Sequence, residues 1–174
     1  MQAPELQVTQ WFNSPSLLNL SDFHEKVVLI EAFQMLCPGC VVHGVPLAQS
    51  VQRLFPNDKV AVIGLHTVFE HHDAMTPVSL KAFLHEYQIT FPVGVDKQGA
   101  GPLPETMAAF GMRGTPSLVL LAQQGRIAAH HFGRVSELQL GAEIGQLLAR
   151  TPVSATSHQV PSHSDQCDDN GCTV

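Results

Sequence analysis

Val27-Val28-Leu29-Ile30-Glu31-Ala32-Phe33-Gln34-Met35-Leu36-Cys37-Pro38-Gly39-Cys40 decides how this chain is read. The first seven residues are a short, largely β-branched and aliphatic run, which predicts a buried parallel strand carrying one carboxyl group. The CxxC that follows sits where a strand passes into a helix, and two thiols at that spacing interconvert between dithiol and disulfide. Cys37 falls at the helix N-terminus, where unpaired backbone N–H groups and the helix dipole favour the thiolate, while Cys40 lies one turn further in. One sulfur attacks and the other resolves.

A chain of 174 residues that is 44% hydrophobic buries a normal core, and nothing in it calls for a second globular domain. The net charge of −6, with no cluster of Lys or Arg, argues against a nucleic-acid partner. Residues 1–26 lack a charged segment followed by an apolar one, and no run reaches the length of a membrane span. The expectation is therefore a soluble, cytoplasmic protein with no membrane partner. Four cysteines in two close pairs are too few to staple a scaffold, which leaves redox or metal chemistry.

Outward from the CxxC, Val60 to Leu65 reads as a second parallel strand, and Leu47, Val51, Leu54 and Phe55 between the two form a helical stripe. A further helix starts at Thr76 as N-cap with Pro77 in its first turn, and Leu80, Phe83, Leu84 and Tyr87 supply its buried face. The apolar segment Phe91 to Val95 leads through a Gly/Pro-rich loop, Gly99 to Pro104, into a brief helix, Glu105 to Phe110, closed by Gly111. Ser117 to Ala122 and Arg126 to Phe132 flank Gln123-Gln124-Gly125 and predict a hairpin. The last helix opens at Ser136 with Gln139 completing a capping box, buries Leu140, Ile144, Leu147 and Leu148, and ends near Arg150. Residues 1–150 thus form one domain. Residues 151–174, rich in Ser, Thr, Pro, His and Asp, read as a flexible polar tail holding Cys167 and Cys172.

This order of elements, with the residues at its marked positions, resembles the thioredoxin superfamily over roughly residues 8–150. Trp11-Phe12, Leu17 to Leu20, the added segment Ile89 to Phe110 and above all Thr90-Phe91-Pro92-Val93-Gly94-Val95-Asp96 resemble its TlpA-like redoxin branch, related to the AhpC/TSA proteins. The resemblance implies an α/β thioredoxin-like fold: a central mixed sheet flanked by helices, with a βα insertion before the cis-proline strand. It places Gly114-Thr115-Pro116-Ser117 at the cis-proline loop that faces the CxxC and presents backbone to an incoming peptide or disulfide. It also assigns Glu31, six residues before Cys37, to the buried carboxyl that moves protons to and from the inner cysteine, and Pro46 to the kinking proline of the following helix. Two departures concern the docking surface: Leu36 stands where the family commonly has Trp, and Pro46 lies one residue further from Cys40 than the resemblance implies. Gln34 occupies the place of the Thr or Ser that helps peroxiredoxins bind peroxide, which argues against a thiol peroxidase.

The function expected is a thiol-disulfide oxidoreductase without a cofactor. Cys37 is its nucleophile, Cys40 its resolving thiol, Glu31 a proton shuttle, and Thr115 and Pro116 its substrate-binding loop. Its partners would be a disulfide-containing protein or small-thiol substrate and a thiol reductant. The alternative is a module handling a soft metal such as Cu(I) through the CxxC or tail thiols. Several residues stay open on sequence alone. Glu31 also suits a solvated strand edge, and His43, one turn beyond Cys40, suits either tuning of the thiol or simple packing. His66, His71 and His72, with Glu70 and Asp73, should border the CxxC as solvated loop residues or as metal ligands. Cys167 and Cys172 suit an accessory redox pair, metal capture with His158, His163 and Asp165, or an inert tail.

Overall fold

The computed structural model describes residues 1–150, and the segment 151–174, with Cys167, Cys172, His158, His163 and Asp165, lies outside the described residues. Six strands form one sheet: β1 (Val8–Phe12), β2 (Val27–Phe33), β3 (Val60–His66), β4 (Val93–Asp96), β5 (Ser117–Ala122) and β6 (Arg126–Phe132). Their order across the sheet is β1-β4-β3-β2-β5-β6. The β2, β3 and β4 strands run parallel, while β1, at one edge, and β5 run antiparallel to their neighbours, so the sheet is mixed.

Side-chain alternation along β2 splits the core into two layers. Val27, Leu29 and Phe33 face the helices α1 (Val45–Leu54), α2 (Pro77–Glu86) and α4 (Glu137–Ala149). Val28, Ile30 and Ala32 face the other way, against Leu20, Met107 and Phe110, where α3 (Glu105–Ala109) lies. All seven residues of β2 are buried, as its unbroken apolar run required. Burying each large aliphatic side chain there contributes about 2 kcal/mol.

The caps follow the chemistry read from the sequence. Thr76 Oγ1 accepts the Ser79 N–H at 3.3 Å and Ser136 Oγ accepts the Gln139 N–H at 3.1 Å. Only half of the Ser136–Gln139 capping box forms, with the Gln139 amide donating to Glu143 Oε1 at 3.0 Å. The βα insertion is tied down at β4, where the buried Asp96 carboxyl accepts the N–H groups of Thr106 (2.9 Å) and Met107 (3.0 Å) and the Thr67 hydroxyl (2.9 Å). Gly111, at φ 65°, closes α3 in the left-handed conformation that its missing Cβ permits.

One strand was not read from the sequence, and three expectations change in detail. The strand β1 has no clean alternation, yet it pairs with β4 because Gly94 leaves room for Val8 and Trp11 against the neighbouring backbone. Leu54 is 78% exposed, since α1 centres its buried face on Leu47, Ala48 and Val51 and leaves Leu54 at the margin of the last turn. Tyr87 is the C-cap of α2 rather than part of its buried face, and its ring stacks on Phe83 with centroids 4.3 Å apart. His66 is the last residue of β3 rather than part of the loop after it.

Candidate active site

Backbone geometry delivers both cysteines from one helical start. The chain leaves β2 at Phe33, turns through residues 34–36, and is helical from Pro38 onward, so Cys37 stands at the N-cap. Pro38 suits the first helical position, where its missing N–H forfeits no bond. Cys37 and Cys40 form a disulfide with their Cα atoms 5.2 Å apart. Cys37 is half-buried with its Sγ accepting the Cys40 N–H at 3.2 Å, while Cys40 is 0% exposed. An incoming thiolate therefore reaches the outer sulfur alone. When Cys37 is the released thiolate, the N–H groups at this end of the helix favour its charge.

The Thr115-Pro116 peptide is cis, at the start of β5. Its loop is held by the Ser117 hydroxyl donating to the Gly114 carbonyl at 2.7 Å and by the Gly133 N–H donating to the Pro116 carbonyl at 2.9 Å. The Thr115 carbonyl oxygen lies 3.5 Å from Cys37 Sγ. A Cβ at Gly39 would stand 3.3 Å from Pro116 Cδ, so a glycine lets the CxxC turn close on the proline. Thr115 and Pro116 are thus brought against the outer sulfur, as the resemblance implied.

Glu31 is buried, and neither carboxyl oxygen has a hydrogen-bond partner among the described residues. Burial raises its pKa well above the ordinary carboxylate value, because no neighbour repays the desolvation of the charge. The solvated-edge alternative is excluded. Its carboxyl lies beneath the turn that follows Cys40: a Cβ on Gly44 would overlap Glu31 Oε1 and come within 3.0 Å of Glu31 Cδ and Pro116 Cβ. Gly44→Ala should consequently lower the unfolding free energy by about 1–3 kcal/mol through overpacking, although alanine is the better helix former. Urea denaturation of the oxidised protein measures this, and a more stable variant would show that the carboxyl moves aside freely.

The stretch Cys40–Gly44 is a π-helical turn, in which the Val45 N–H bonds to the Cys40 carbonyl five residues back. It absorbs the extra residue between Cys40 and Pro46. Pro46 then falls just past the π-helical turn, inside the continuous helical stretch that runs from residue 38 to 54.

The histidine cluster separates. His66 is 1% exposed, its ring tilted against Phe33 with centroids 5.4 Å apart, and neither ring nitrogen has a partner among the described residues. Burial pushes its pKa down to about 4, so it is neutral and belongs to the core beneath the site rather than to a solvated loop. Glu70, His71 and His72 are exposed, and no three His, Cys, Asp or Glu side chains among the described residues gather as metal ligands. The metal-handling alternative finds no support there.

Two residues at the site went unassigned in the sequence. The Gln34 amide accepts the Phe69 N–H at 3.3 Å and donates toward Glu70 Oε1 (3.4 Å) and Thr115 Oγ1 (3.5 Å), joining the end of β2 to the cis-proline loop. An amide in a buried position just before a CxxC was its signal. Gly44, the space for the Glu31 carboxyl, had no local signal.

A dithiol whose outer sulfur meets a cis-proline loop, with an unpaired carboxyl beneath the turn that follows its inner cysteine, defines a thiol-disulfide oxidoreductase of thioredoxin-like fold. The family model named Redoxin matches residues 1–143, and the chain belongs to the Redoxin family. A crystal structure of a thioredoxin-like superfamily protein is 68% identical, with a TM-score of 0.85 over 87% of this chain and 98% of that one. The crystal structure of a thiol-disulfide isomerase from Corynebacterium glutamicum is 49% identical, with a TM-score of 0.82 over 86% of this chain and 97% of that one. The thioredoxin-like protein YneN of Bacillus subtilis is 25% identical over 140 residues, covering 80% of this chain and 74% of that protein. No helix among the described residues is long and apolar enough to cross a membrane.

Proposed function

We propose that this chain exchanges disulfides with protein or small-thiol partners through Cys37, with Cys40 resolving the mixed disulfide. The observation that carries the assignment is the asymmetry of the pair: Cys37 is half-buried and Cys40 fully buried. The Cys37 thiolate attacks a partner disulfide, joins one partner sulfur and expels the other as a thiolate. Cys40 then attacks Cys37 Sγ, closing the intramolecular disulfide and releasing the second partner thiol. Glu31 takes or gives the Cys40 proton, and the backbone at Thr115 and Pro116 aligns the partner segment beside Cys37. The likeness to a thiol-disulfide isomerase, 49% identical over nearly all of that chain, supports protein disulfides as the substrate class.

The direction of exchange follows from the reduction potential, which also bears on the compartment. A cytoplasmic reductase, the expectation from sequence, should titrate near about −270 mV, and a strong oxidant of an exported compartment near about −120 mV. Titration against glutathione and dithiothreitol buffers, read by alkylation and mass, gives the value. A potential near the oxidant's would overturn the cytoplasmic reading. The domain limit at residue 150 and the accessory role of Cys167 and Cys172 are likewise proposals, carried by composition and C-x4-C spacing alone.

A further inference from the structure

A buried acid that trades protons with a thiol needs a way to trade them with water, and the packing around Glu31 contains one. A cavity of about 10 Å³ is lined by Glu31, His43, Gly44, Pro116, Leu118 and Arg134, among others. That is room for roughly one water molecule. His43, Leu47, Arg134 and Val135 also line an open surface cleft of about 320 Å³ on the far side, together with Val42, Pro46, Ser136 and Glu137. The same two polar side chains therefore border the buried carboxyl and the solvent.

We infer that His43, with Arg134 beside it, is the passage through which the Glu31 carboxyl exchanges its proton with solvent. The inference rests on the assignment of Glu31 as the proton partner of Cys40. Opening the disulfide shows the step. A thiolate R–S⁻ attacks Cys37 Sγ, the R–S–Cys37 bond forms, and the Cys37–Cys40 bond breaks with its electron pair going to Cys40. The Cys40 thiolate takes the proton of the Glu31 carboxyl. The carboxylate left behind regains a proton from the His43 imidazolium, directly or through one water, and neutral His43 is reprotonated from the cleft. Closure of the disulfide runs the same transfers backwards.

Charge placement around Glu31 suits this. From β3 it is faced by Gly64 and from β5 by Leu118, neither of which titrates. The turn Cys40–Gly44 contributes Cys40 and His43, the segment after β6 contributes Arg134, and Glu137 stands in the outer cleft. Arg134 is thus the fixed positive charge that lines the cavity where the carboxylate appears, and His43 is the side chain there whose ring nitrogens can both take up and give up a proton. The half-buried side chain of His43, which lines the open cleft, lies within reach of added buffer.

The test measures reduction of Cys37–Cys40 by dithiothreitol in the full-length chain from pH 6 to 9, quenched with acid and read by mass after alkylation. Wild type, His43→Ala, Glu31→Gln and the double variant are compared at each pH. His43→Ala should be about tenfold slower near neutral pH and should recover in added imidazole, whereas Glu31→Gln should be slow and indifferent to imidazole. The double variant should be no slower than Glu31→Gln. A His43→Ala protein as fast as wild type overturns the passage while leaving Glu31 in place, provided Glu31→Gln is slow. A slow His43→Ala protein that imidazole does not rescue, or that slows Glu31→Gln further, also overturns it, because His43 then only shapes the turn. A Glu31→Gln protein as fast as wild type overturns the underlying assignment itself.

Discussion

Replacing Cys37 by Ser should reduce disulfide exchange to the uncatalysed background, whereas replacing Cys40 by Ser should leave the first attack intact and trap the partner. The two outcomes differ because the two sulfurs differ in access. Cys37 Sγ sits half-buried against the Thr115 carbonyl and Cys40 is enclosed by the core around Val45 and Ala48. Without Cys40 a mixed disulfide on Cys37 has no neighbouring thiol to displace it, so adducts accumulate. In the reduced wild type, iodoacetamide should modify Cys37 well before Cys40, since reactivity follows both thiolate fraction and access. Quantitative mass spectrometry of the alkylated peptides checks the order. Exchange that survives Cys37→Ser, or equal alkylation of both thiols, would overturn the assignment.

Acid sensitivity of the oxidised protein should be governed by His66. Its pKa falls from 6.5 to about 4 in the folded state, so between those values the unfolded chain binds a proton that the folded chain refuses. Stability is therefore lost as pH falls through that window, by about 3 kcal/mol over its whole width. Glu31 acts with the opposite sign. Its folded pKa lies above 4.5, so from 4.5 upward the unfolded chain releases a proton that the folded chain keeps, and stability falls as pH rises. Each group contributes at most one proton, a slope of up to about 1.4 kcal/mol per pH unit, and above pH 4.5 the two slopes oppose one another. Their combined pH dependence there should be shallower than that of His66 alone. His66→Phe should unmask the Glu31 slope, losing stability as pH rises, and Glu31→Gln should unmask the His66 slope, gaining stability as pH rises. Urea unfolding at several pH values reads this directly, with His66→Leu as the second variant should the larger ring misfit. Parallel curves for wild type and both His66 variants would show that His66 titrates normally.

The parts of this molecule legible in the sequence are those fixed by local chemistry. A continuous apolar run announces a strand covered on both faces, Thr and Ser before helical stripes announce their caps, and a CxxC at a strand-to-helix junction announces the dithiol. The cis-proline loop was legible only by resemblance, since nothing local to Thr115-Pro116 selects the isomer. What escaped depends on partners distant in the chain. The strand β1 is made by Gly94 on the neighbouring strand, and the buried state of His66 by Phe33 across the sheet. Glu31 was ambiguous for the same reason: alternation says which face it takes, but only the turn that covers that face decides whether water reaches it. Gly44 had to be seen against Glu31 before its absent side chain meant anything.

The π-helical turn between Cys40 and Gly44 behaves as a slip joint in the polypeptide. An α-helix advances about 100° per residue, so one residue inserted between the dithiol and the packed stripe would swing the cysteines more than a quarter turn away from Pro116 if the winding stayed regular. Here the surplus is taken up where it arises, and Leu47, Ala48 and Val51 remain seated in the core while Cys37 still meets the proline loop. Length can therefore change at this point without disturbing what lies on either side.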